Sequence, residues 1–214
     1  MDSTRPRHIL HCRSSLAPLP KPPAGTHPVQ YCNKPQTGAT SSAARSTMKE
    51  SMEDINCEGL PHIRVLAGEN SSGPVYETLP ARQIDEHVYE LLASPGLTLN
   101  LARGDIISIA DPLAPAEVLK RGGNFCIQIY ADDVSQEAVD QLERDVQEQL
   151  GGTMDGQYKG NLTFSVPGHH GIYSVNGPFD AFREATGVEW YFANIYVNLD
   201  DDDDETLLNW WVDM

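Results

Sequence analysis

The 214-residue chain has a formal net charge of −16 and 40% hydrophobic residues, enough to bury a core in one or two domains. The charge is unevenly shared: residues 1–51 hold seven Lys/Arg and two Asp/Glu, and residues 52–214 hold eight and twenty-nine. A body at −21 repels phosphate backbones, which argues against nucleic-acid binding, and no apolar run reaches the ~20 residues a membrane span needs.

Residues 1–51 are rich in Pro, Ser, Thr and Arg, and Leu16-Ala17-Pro18-Leu19-Pro20-Lys21-Pro22-Pro23 excludes both helix and central strand. This segment is expected to be disordered, a transit-like leader, or a non-native upstream extension of a protein that starts at Met48 or Met52. The last is favoured, because composition and charge sign both change there. It lacks the apolar core of a secretory signal. Cys12, Cys32, Cys57 and Cys126 share no CxxC spacing, so neither a disulfide framework nor a zinc site is expected. A reduced, cytoplasmic setting and no cofactor fit this pattern.

Residues 60–122 read as a small β-rich domain. Residues 62–67 alternate, with Ile63 and Val65 on one side. Residues 75–79 form a strand that Pro80 should break, and residues 87–92 a short strand stopped by Ser94-Pro95-Gly96. Residues 106–110 and 118–120 add two more, the last closed by Gly122-Gly123. Short strands at this spacing predict a barrel or curled sheet.

Residues 124–198 change pattern. Residues 125–130 alternate strictly, with Phe125, Ile127 and Ile129 on one face and Cys126, Gln128 and Tyr130 on the other. Ser135 is an N-cap, Val134 and Val139 a hydrophobic staple, and Val139, Leu142, Val146 and Leu150 one apolar stripe ended by Gly151. Strands follow at 153–158 and 162–166. A second helix should begin at Pro178, bury Phe179, Phe182 and Ala185, and end at Gly187. A long strand, 188–197, closes the unit. The order β-α-β-β-α-β is that of a ferredoxin-like unit, so the fold class is α+β. The second sheet face must meet the N-terminal strands, a second copy of the chain, or solvent.

No constellation reads as catalytic or metal-binding. His169-His170 sit in a turn without ligands at zinc spacing and fit a polar loop. Arg103-Gly104-Asp105 fits a β-turn, with glycine at positive φ and Asp bonded locally. Lys120-Arg121-Gly122-Gly123-Asn124 fits a hairpin turn better than an anion cradle. Asp132-Asp133 complement a helix N-terminus. Cys126 reads as an inert thiol.

Residues 199–214 form an acidic spacer and a tail. Six consecutive acids, Asp200, Asp201, Asp202, Asp203, Asp204 and Glu205, precede Trp210-Trp211. Like charges stay solvated, whereas tryptophans seek burial. The expected outcome is docking of both rings on the N-terminal part, with partner anchoring the alternative.

Several phrases occur together: Glu90-Leu91-Leu92-Ala93-Ser94-Pro95, Ala102-Arg103-Gly104-Asp105, Val118-Leu119-Lys120-Arg121-Gly122-Gly123-Asn124, Gly151-Gly152-Thr153-Met154-Asp155-Gly156 and Asn209-Trp210-Trp211. With these the chain resembles the bacterial domain-of-unknown-function family 4265 over roughly residues 61–211. The resemblance implies a small bacterial cytosolic protein and no particular reaction.

The leading expectation is a non-enzymatic acidic binding protein of immunity-protein or inhibitor type, steered to a basic protein partner. Its contact residues are expected to be the six acids, Trp210, Trp211, Tyr130 and Gln128. A small-ligand-sensing regulatory module, dimeric through the open sheet face, is the alternative. An enzyme using Asp132, Asp133 or His170 is third.

Overall fold

The computed structural model describes residues 60–158, 160–199, 204–212 and 214. The expectations for residues 1–51 and for Asp200, Asp201, Asp202 and Asp203 lie outside these. The described chain is α+β, with two antiparallel sheets and two helices.

The first sheet is a meander of β1 (His62–Asn70), β2 (Gly73–Asp85), β3 (Val88–Leu91), β4 (Ile106–Ser108) and β5 (Glu117–Lys120), in that spatial order. Asn70 pairs with Gly73 across a two-residue turn, where Asn70 Oδ1 accepts the Ser72 N–H at 2.8 Å. Pro80 does not break β2. The strand changes partner there: His62–Pro80 is the last pair with β1, and Ala81–Leu91 opens the pairing with β3. A missing N–H is tolerated where a ladder changes sides. Val65, Leu79, Ala81, Leu91, Leu101 and Ile107 form this sheet's core.

The second unit runs β6 (Asn124–Ile129), α1 (Gln136–Leu150), β7 (Thr153–Tyr158), β8 (Asn161–Pro167), α2 (Gly171–Thr186) and β9 (Trp190–Phe192), with sheet order β7-β8-β6-β9. Ser135 Oγ accepts the Ala138 N–H at 3.3 Å, and Gly151 ends α1 at φ 60°. The predicted stripe of α1 is buried with Phe125, Ile127, Ile129, Val175, Phe179 and Phe182.

Four further expectations need correction. Helix α2 begins at Gly171, not Pro178, because a 3-10 turn at Gly168–His170 already winds the chain. Pro178 is an interior helix residue whose ring is buried beside Phe179, while Ala185 is exposed. Strand β9 is only three residues long. Beyond it the Asn194 side chain replaces the ladder: its Oδ1 accepts the Cys126 N–H at 3.0 Å and its Nδ2 donates to the Asn124 carbonyl at 2.9 Å. Residues 120–124 are no hairpin turn, since β5 and β6 belong to different sheets and this segment crosses between them.

Candidate functional site

The polar groups of the chain converge on the irregular segment between β3 and β4. This segment lies between the sheets and is gripped from both sides. From the first sheet, the Glu77 carboxylate accepts the N–H groups of Gly96 (2.7 Å), Leu97 (3.1 Å) and Thr98 (2.9 Å) and the Thr98 hydroxyl (2.8 Å). From the second sheet, Gln128 Nε2 donates to the Pro95 carbonyl at 2.8 Å. The Tyr130 hydroxyl has two acceptors, Gln128 Oε1 at 2.7 Å and the Gly96 carbonyl at 2.9 Å. Gly96, Leu97 and Thr98 thus give their N–H groups to one sheet, and Pro95, Gly96 and Thr98 offer their carbonyls to the other, which meets the need of buried backbone for partners.

Asp155 reaches the same segment from β7. The pairing of β7 with β8 slips between Met154 and Gly156, so Asp155 is the extra residue of a bulge. Its Oδ2 accepts the Ser94 N–H at 2.6 Å and the Ser165 hydroxyl, and Ser165 Oγ lies 2.6 Å from Ser94 Oγ. Arg103 reaches Asp155 Oδ1 at 3.3 Å and Thr153 Oγ1 at 3.0 Å. A third carboxylate, Asp105, accepts the N–H groups of Ala102 (3.0 Å) and Gly122 (2.7 Å) and pairs with Arg121 at 3.2 Å.

The electrostatics follow from burial. Desolvation pushes the Glu77, Asp105 and Asp155 carboxyls above their ordinary range, against the pull of these donors and of the arginines beside Asp105 and Asp155. Burial and the neighbouring carboxylates push the Cys126 thiol well up, and burial pushes up the Tyr130 phenol. Such burial disfavours the thiolate form. The Ser94–Ser165–Asp155 chain has the composition of a proton relay, but Ser94 is 0% and Ser165 3% exposed. The cluster joins the two sheets through buried side chains.

Gln128 and Tyr130, expected at a partner contact, are bonded within the chain itself. The second face of the sheet that holds β6 meets residues 94–104, with Cys126, Ala102 and Ala193 in one small buried cluster. Trp210 and Trp211 dock elsewhere than expected. They dock in cis, on the second unit rather than the N-terminal part, because their rings complete the core beside Phe125 at 5.0 and 5.3 Å. Asp204 and Glu205 lie at the root of this tail, where Asp204 Oδ1 accepts the Thr206 N–H at 3.0 Å. The Arg103-Gly104-Asp105 turn is structural, with Gly104 at φ 84° and Asp105 buried. The His169 and His170 rings stack at 4.2 Å, and no group of three metal-binding side chains occurs among the described residues.

Acids are dense on α1 and its approach. Residues 132–150 carry seven acids and one arginine. Asp132, Asp133, Glu137, Asp140 and Glu148 are exposed, while burial and Asp140 push Glu143 upward. The arginines of the described body are already engaged: Arg82 with Glu90, Arg103 with Asp155, Arg121 with Asp105, Arg183 with Asp180, Arg144 with Gln141, and Arg64 over the Tyr76 ring.

The sequence profile of DUF4265, described as a domain of unknown function, matches residues 77–190. No curated protein matches the chain. A solved structure, described as a novel crystal structure of a hypothetical protein from Neisseria gonorrhoeae, is 18% identical, with a TM-score of 0.47 over 62% of this chain and 92% of that one. No helix among the described residues is long and apolar enough to cross a membrane.

Proposed function

The chain belongs to the DUF4265 family, and from that premise we propose that it is a non-enzymatic acidic protein that binds a basic protein partner. The observation that carries this reading is the unbalanced charge of α1 and its approach, seven acids against one arginine, on a helix whose opposite stripe is buried. A field of one sign steers an oppositely charged protein and speeds its association. The sealing of the Ser94, Ser165, Asp155 and Cys126 cluster supports a binding role over a chemical one. Inhibition of a basic enzyme or toxin, in the cytoplasm, is the setting such a surface suits.

The second unit we infer to be ferredoxin-like, from its β-α-β-β-α-β order and the sheet order β7-β8-β6-β9. The first sheet we infer to be barrel-like in curvature, since it bulges at Leu66/Gly68, Gln83/Asp85 and Ile106/Ile107. The functional test is affinity purification at low ionic strength, elution by salt, and repetition with Glu137→Lys/Asp140→Lys/Glu148→Lys. A specific basic protein that elutes with salt and is lost in the variant supports the reading. Retention by the variant, or capture of neutral proteins only, overturns it.

A further inference from the structure

Three successive backbone N–H groups and a hydroxyl converge on the Glu77 carboxylate, and all of them are donors. The Gly96 N–H reaches Oε1 at 2.7 Å. The Leu97 and Thr98 N–H groups reach Oε2 at 3.1 and 2.9 Å, and the Thr98 hydroxyl donates to the same oxygen at 2.8 Å. Successive N–H groups turned towards one point make a concavity that takes anions. Pro95, which has no N–H to give, leads into it.

The concavity is framed from the side opposite its occupant. Gln128 Nε2 donates to the Pro95 carbonyl at 2.8 Å and lies 3.4 Å from the Thr98 carbonyl, and the Tyr130 hydroxyl lies 2.9 Å from the Gly96 carbonyl. Gln128 stands on β6 and Tyr130 directly follows it, whereas Glu77 stands on β2, opposite Val65 in the ladder with β1. The second sheet therefore shapes the loop, and the first sheet contributes the anion that fills it. Glu77 and Thr98 are buried, so the floor is dry, while Gly96 and Leu97 at the rim are only half-buried. Donors held in a dry site without an acceptor are costly, which gives a fitting anion its purchase there.

We propose that Gly96, Leu97 and Thr98 form an anion-binding nest for a carboxylate, and that Glu77 fills it in cis as a built-in ligand. A tether and a nest respond differently to loss of the side chain. If Glu77 were only a tether, its truncation would remove a contact that no free ion restores. In a nest framed by Gln128 and Tyr130, the donors stay in place and accept a free carboxylate instead. Neither the nest nor its test depends on the basic-partner reading, so failure here leaves that reading standing.

Glu77→Ala removes the carboxylate with one methylene and opens a hole into which formate, the smallest carboxylate, fits. Thermal unfolding of the full chain in sodium formate, against sodium chloride of equal ionic strength, tests this. Formate at about ten times its Kd should raise the midpoint of Glu77→Ala by about 3–6 °C. The bulkier propionate should do no more than chloride. The parent, whose nest is filled, and Glu77→Gln, whose amide occupies the hole, should respond to formate and chloride alike. An equal rise in the parent or in Glu77→Gln would be general salt stabilisation and overturns the nest, as does the absence of a rise in Glu77→Ala. Should Glu77→Ala fail to fold in chloride, refolding yield replaces the midpoint: recovery in formate supports the nest, and recovery in neither salt overturns it. Hydrogen exchange then locates the ion. Formate should restore protection to Glu77→Ala in peptides covering residues 96–98, and protection gained only elsewhere also overturns the proposal.

Discussion

Gly122 and Gly104 meet backbone to backbone, so closely that a Cβ on Gly122 would collide with the Gly104 carbonyl carbon and Cα. The crossover between the sheets passes over the turn between Ala102 and Asp105 with no room for a methyl group. Gly122→Ala must therefore push the two segments apart and break the Gly122–Asp105 bond. We expect a loss of about 2–4 kcal/mol, measured by urea denaturation. A loss under about 0.5 kcal/mol would mean the contact is loose.

Trp211 is 8% exposed within the second core. Trp211→Ala should cost about 3–5 kcal/mol, the range for removing a large aromatic from a packed site. Deletion of residues 207–214 should destabilise the second unit rather than merely weaken binding. An unchanged thermal midpoint for that deletion would show that docking contributes nothing to stability.

The three buried carboxylates make a signed prediction about pH. Their folded pKa values lie above ordinary, so the folded state holds protons more tightly than the unfolded one. Their contribution is complete below the ordinary carboxylate range and is lost as pH rises through the folded values. Stability should therefore increase from pH 7.5 to 5.5, and relief of the −16 self-repulsion acts in the same direction. Asp155→Asn should flatten this slope while lowering stability overall by about 2–3 kcal/mol, since Ser94, Ser165 and Arg103 lose a charged acceptor. A parent protein less stable at pH 5.5 than at 7.5 would contradict the sign.

Glu77→Gln places an amide where four donors converge. Half of that amide is itself a donor, so at least one N–H of Gly96, Leu97 or Thr98 loses its acceptor. The expected cost is about 1–3 kcal/mol. Faster exchange should be confined at first to residues 95–98, and protection there equal to the parent's would refute the clasp.

The charge-reversed α1 variant, Glu137→Lys/Asp140→Lys/Glu148→Lys, touches exposed positions only. Its stability should stay within about 0.5 kcal/mol per substitution. Its association rate with a cationic partner should fall by about tenfold or more at low salt, and the difference should shrink as salt is raised. Stopped-flow kinetics at two ionic strengths decide this.

What the sequence disclosed and what it hid follow one rule. Local patterns were legible. The cap at Ser135, the stripe from Val139 to Leu150 and the Gly151 stop lie within one helix, and period and capping chemistry mark them. The two faces of residues 125–130 were legible for the same reason. The family, too, showed through phrases of strand and loop. Long-range polar pairing was not legible. Glu77 and Thr98 are 21 residues apart, Ser94 and Ser165 71, and nothing in their local sequence marks them as partners. Asp155 lay in a correctly placed strand, but only the bulge turns it inward. Asn194 ended a predicted strand because a side chain took over the ladder's bonds, which propensity does not register. The helix start at Pro178 failed because proline at a first turn is a preference, and packing on the sheet overrode it.

All three tryptophans of the chain, Trp190, Trp210 and Trp211, belong to the second core. The first sheet has none, so tryptophan fluorescence reports from only one of the molecule's halves. The segment gripped between the sheets therefore has an optical signature. If the grip makes the halves one cooperative unit, tryptophan emission and far-ultraviolet circular dichroism must trace the same denaturation curve. If the halves part separately, the first sheet will melt unseen by the tryptophans, and the gap between the two curves will measure how strongly residues 94–98 bind one half to the other.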